Sequence, residues 1–90
     1  VRISELLGQV KDRDSFLAFA KALAEERKLA EKMEIEAPEK YRLSGPLGWE
    51  NGSISSFLAA ALASVEDGSY FEEASWRSFA EFLYCGKIYE

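Results

Sequence analysis

The 90-residue chain contains no histidine. That removes the usual general base, the commonest metal ligand and the usual side-chain switch near neutral pH. It contains one cysteine, Cys85. No intramolecular disulfide can form, and a reducing cytoplasm is the expected home. No apolar run approaches the roughly 20 residues that cross a bilayer, so no membrane partner is expected. The opening Val1-Arg2-Ile3-Ser4-Glu5 has none of the charged, apolar and cleavage regions of a signal peptide. It also has no initiator Met and reads as trimmed or processed, which leaves room for a signal already removed. Basic residues are scarce in the second half: residues 46–90 hold Arg77 and Lys87 against seven acids, whereas residues 1–45 hold nine of each sign. The whole net charge of −5 thus sits in the C-terminal half. An acidic half argues against gripping phosphates, so no nucleic-acid partner is expected. The plain alternative for that charge is solubility.

What is present is apolar mass: 48% of residues, including six Phe, four Tyr and two Trp. That excludes the disordered class. A chain this short buries only roughly 60–65% of the surface its unfolded form exposes, so it must pack one tight core as a single domain, 1–90. The fold expected is all-α, three main helices around one core with a short N-terminal helix. Ile3, Leu6, Leu7 and Val10 share one helical face, though Gly8 interrupts it. The first long helix opens near Asp12–Asp14, where Asp12 can accept a first-turn N–H. Phe16, Phe19, Ala20 and Leu23 form its stripe, and it ends before Pro38, since the residue before proline avoids the α region. Its last two turns, rich in Glu, Arg and Lys, are expected to project into solvent. Residues 37–52 read as a loop, long for so small a domain.

The second main helix opens at Asn51 or Ser53 and shows a broad apolar face of Ile54, Phe57, Leu58, Ala61, Leu62 and Val65. Gly68 is the candidate left-handed cap. The third opens at Ser75, with Trp76, Phe79, Ala80, Leu83 and Lys87 on one stripe. Trp76 and Phe79 are expected core anchors, and Gly86 a mild weak spot. No segment alternates as a strand does, and no internal repeat is visible.

Trp49-Glu50-Asn51 before one helix, Phe57-Leu58 within it, Ser75-Trp76 at the start of the next and the closing Lys87-Ile88-Tyr89-Glu90 form a set. Residues 49–90 resemble, through it, a bacterial domain family of unknown function; the Asp12–Leu23 segment matches loosely and the loop 37–48 not at all. The resemblance implies a small helical fold in a prokaryotic or phage setting, and no activity.

No catalytic residue, metal ligand or cofactor is assigned. A nucleophilic Cys85 needs a base or a positive field, and without histidine it reads as a small apolar residue. Glu66, Asp67, Glu72 and Glu73 lack the ligand spacing of a calcium loop. Trp49 is a candidate partner anchor or a lid on the core. Tyr70 and Phe71, flanked by those four acids, form a candidate acidic and aromatic contact surface, with Phe71 tucked under the inter-helix turn as the structural alternative. The functional expectation is a non-catalytic binding or regulatory protein, of immunity or inhibitor type, acting on a basic protein partner as a monomer or weak dimer. The alternative is a structural or assembly module that homodimerises through the first long helix or an aromatic face.

Overall fold

A computed structural model describes residues 2–68 and 71–90. They form four α-helices and one 3-10 turn, with about 70% helix and no strand among the described residues. The helices are α1 (Ile3–Gln9), α2 (Arg13–Glu36), α3 (Ile54–Asp67) and α4 (Trp76–Ile88), and the turn is Pro46–Gly48.

Each main helix starts where a side chain can serve its orphan N–H groups. Asp12 Oδ1 accepts from the Ser15 N–H at 2.8 Å while Ser15 Oγ accepts from the Asp12 N–H at 3.0 Å. That reciprocal box holds the Asp12 carboxyl below its ordinary pKa, chiefly through the backbone hydrogen bond from Ser15. Ser53 and Ser56 repeat the arrangement at α3, and Ser75 accepts from the Ser78 N–H at α4. The ends depart from expectation in one place. Gly68 closes α3 with φ −122°, an extended conformation and not a left-handed one. Positive φ occurs instead at Leu47 (57°) and Gly48 (79°), within the turn Pro46–Gly48.

α4 lies between α1 and α2 on one side and α3 on the other; α3 makes no comparable contact with α1 or α2. The core cluster is therefore lopsided. It joins Ile3, Val10, Phe19, Leu23, Ala30, Trp49 and Ala80, with Leu6, Leu7, Phe16, Leu83 and Tyr84 half-buried around it. Ile3, Leu6, Leu7 and Val10 all take part, so the short N-terminal stripe faces the core as read.

Three expectations need correction. First, the last turns of α2 are covered on one side, because the loop turns back along them: Ala30 is fully buried, and the 3-10 turn and Trp49 pack there. Gly45 permits the return, since a Cβ there would lie 1.9 Å from the Trp49 carbonyl oxygen. Second, Trp76 and Phe79 are 39% and 37% exposed; the buried residues of α4 are Ser78, Ala80, Gly86 and Lys87. A helix squeezed between two neighbours needs small residues at both contacts, and the large rings are displaced to its flank. Third, Gly86 is a seat and not a weak spot: a Cβ there would lie 2.7 Å from the Phe57 ring. The same logic governs α3, which buries Ala60, Ala61 and Ser64 against α4 and leaves Ile54, Leu58 and Leu62 81%, 47% and 55% exposed. The resulting body is thin, 41 × 27 × 17 Å.

Candidate interaction surface

Two constellations stand out, one inside and one outside. Inside, Glu26 of α2 reaches the end of α4. Its Oε1 accepts from Lys87 Nζ at 2.6 Å and from the Trp49 indole N–H at 2.9 Å. Lys87 is 6% exposed, so its charge is held by this carboxylate and by the face of Trp49, 5.6 Å from the ring centroid. Arg27 lies over the same ring at 5.3 Å and forms a two-armed pair with Glu34. The Phe57 ring stacks on Trp49 at 6.2 Å. Trp49 is thus 5% exposed and closes the core, offering almost no area to a partner. Glu26, Arg27 and Lys87 had no place among the sequence's candidates. A lone Lys on an apolar stripe was the one visible sign of the pair; its partner lies 61 residues away.

Outside, a run of aromatic rings climbs the flank of α4. Phe16 meets Trp76 at 5.4 Å, Trp76 meets Phe79 at 6.1 Å, Phe79 meets Phe71 at 6.3 Å, and Phe71 stacks on Phe82 at 5.3 Å. Phe71, Phe79 and Trp76 are each more than a third exposed, so the ring run is both ordered by its own contacts and open to solvent. Phe71 therefore leans on α4 and keeps one face outward. Tyr70, the other aromatic candidate of this segment, lies outside the described residues. Glu72 and Glu73, directly after Phe71, are exposed. Glu66 and Asp67 are exposed at the C-terminal end of α3, where the helix dipole disfavours negative charge. Asp67 accepts a hydrogen bond from the Tyr89 hydroxyl, which raises the Tyr89 pKa. Among the described residues, Asp67 is the one of these four acids with such a partner.

Beside α3 lies an apolar cleft of about 350 Å³, walled by Arg27, Trp49, Gly52, Ile54, Phe57 and Leu58. Cys85 is half-buried and unpaired in a disulfide. Among the described residues, no group of three or more Cys, Asp or Glu could hold a metal ion, and no helix is long and apolar enough to cross a membrane. No protein-family model, curated protein or solved structure matches the chain.

Proposed function

We propose that this chain is a non-catalytic binding protein that docks on a basic protein partner through the aromatic flank of α4 and the acids around it. The observation that carries the reading is a conjunction: Phe71 stands between Glu66, Asp67 and Glu72, Glu73 in sequence, and the Phe79 and Trp76 rings continue from it along α4, all three over a third exposed. Aromatic residues supply contact area at low conformational cost, and a charged rim steers the encounter. Folding alone does not ask for Glu66 at the end of α3, although Asp67 beside it also accepts from the Tyr89 hydroxyl. An immunity- or inhibitor-type role is the concrete form, supported by the small size and the acidic charge; the resemblance of residues 49–90 supports only the prokaryotic or phage setting. One cysteine in 90 residues suits a cytoplasmic place of action.

The test is kinetic. A partner captured from the native host is mixed with the wild-type chain and with the variant carrying Glu66→Gln, Asp67→Asn, Glu72→Gln and Glu73→Gln. Slower association and a flatter salt dependence are expected of the variant, with its circular dichroism unchanged. Trp76→Ala should raise the dissociation rate instead. An unchanged rate for the four-site variant, or a partner whose contact surface is acidic, ends the reading.

A further inference from the structure

We infer that the outer face of α3 is a self-association surface, and that its occupant is the α3 of a second copy lying antiparallel to it. Residues 54–65 contain no charged side chain. A helix on the surface of a small domain ordinarily carries charge on its outer side, and one that is apolar all round is covered. Here Ile54, Leu58 and Leu62 run along the outer side at four-residue steps, all well exposed, with Ser55 and Ala59 exposed beside them. Small residues of that kind let two helices approach closely.

The pattern chooses a second copy over a foreign helix because it is self-complementary. Turned end for end about Leu58, the stripe places Ile54 of one copy against Leu62 of the other and Leu58 against Leu58. That is the isologous geometry a twofold axis requires. The charges agree. One step beyond Leu62 on the same side stands Glu66, exposed at the C-terminal end. At the N-terminal end, Arg27 lines the cleft next to Gly52 and Ile54. Antiparallel pairing brings each Glu66 to the positive end of the partner copy's α3; Arg27 at that end is already held by Glu34. Glu50 is exposed at that end too, so this attraction is small beside the apolar contribution. The cleft, at about 350 Å³, has room for the Leu62 and Val65 side chains that the same register carries over it. The stripe and its small neighbours offer on the order of 500 Å² per copy, which puts a symmetric pair near the lower bound for a specific interface.

This surface is independent of the docking reading above, and Glu66 is the one residue common to both. Sedimentation velocity at tens of micromolar should show the wild-type chain at twice its 10.1 kDa. Leu58→Glu sets two like charges against each other on the axis and should sediment as a monomer with full helical circular dichroism. Trp76→Ala should leave the dimer whole. Should Leu58→Glu lose its fold, a second arm decides: Leu58→Cys in a Cys85→Ala background should link into covalent dimers with a short bismaleimide, and Lys32→Cys in the same background should not. A wild-type chain that stays monomeric at hundreds of micromolar, a dimer that survives Leu58→Glu, a dimer lost with Trp76→Ala, or linkage at residue 32 in place of residue 58 overturns the inference.

Discussion

On the side of α4 that faces α1 and α2, the large side chains are inside: Phe19 is fully buried, Leu23 and Trp49 nearly so, and Lys87 is sealed against Glu26. On the side that faces α3, the buried residues are small and Phe57 is the one large α3 ring half-buried among them. Ala60, Ala61 and Ser64 meet α4, Phe57 sits on Gly86, and Ile54, Leu58 and Leu62 point away. A small domain gains stability by burying large apolar groups. The first side does so within the chain. The second holds the same kind of residue in reserve, which is what an interface does and a finished core does not. The contrast teaches that amphipathicity read from one helix does not say whether its apolar stripe meets its own chain or another.

The contrast can be broken by truncation. Phe19→Ala should cost about 3–5 kcal/mol in chemical denaturation, since its ring has no solvent-facing side to forfeit. Leu58→Ala, measured at a concentration where copies do not associate, should cost less than about 1 kcal/mol. Equal losses would erase the distinction between the two sides. Next in size is Glu26→Ala, which strands a buried ammonium and an indole N–H; about 3 kcal/mol is expected. Glu34→Ala is the control: it breaks the more open pair with Arg27 and should cost about 1 kcal/mol or less.

Gly86→Ala sharpens the α3 side. The added methyl meets the Phe57 ring, and overpacking of this kind costs about 1–3 kcal/mol. Combining it with Phe57→Leu should recover part of that loss, a coupling read from a double-mutant cycle. Trp76→Ala should then cost about 1–2 kcal/mol, well below a full core aromatic, because over a third of the residue is already in water. The smallest effect is one of pH. The Asp12 carboxyl has a lowered pKa in the folded chain, so its cap is fully present above the unfolded value and fades as pH falls through the folded one. Protection of the Ser15 amide, taken relative to its intrinsic exchange rate at each pH, should fall in that acidic window, and Asp12→Ala should remove this change in protection.

The helices themselves were legible. Asp12, Ser53 and Ser75 each announce a start through local hydrogen-bond chemistry, and Pro38 announces a stop. The short N-terminal helix was legible from four residues on one face. What escaped was which neighbour each face meets. Trp76 reads as core because periodicity counts apolar residues and cannot see that α4 has a neighbour on two sides. Gly86 reads as a defect because propensity is local, while its use is a ring 29 positions earlier. The acids around Phe71 were found by counting charge. Glu26 was not found, since nothing near it in sequence distinguishes it from Glu25 or Glu31; only the return of the loop over α2 selects it.

The two tryptophans fall one on each side of the division between buried and open aromatic groups, and this gives the molecule two separable optical reporters. Trp49 is shielded, hydrogen-bonded and overlaid by two cations, so its emission should be blue-shifted and indifferent to dissolved quenchers until the chain unfolds. Trp76 is open to collision. With Glu72 and Glu73 close to it in sequence and Arg77 beside it, caesium should gain on iodide there at equal ionic strength, once each is scaled to its quenching of free tryptophan. A Trp76→Phe chain then reports unfolding alone, and a Trp49→Phe chain reports whatever comes to rest on the flank of α4.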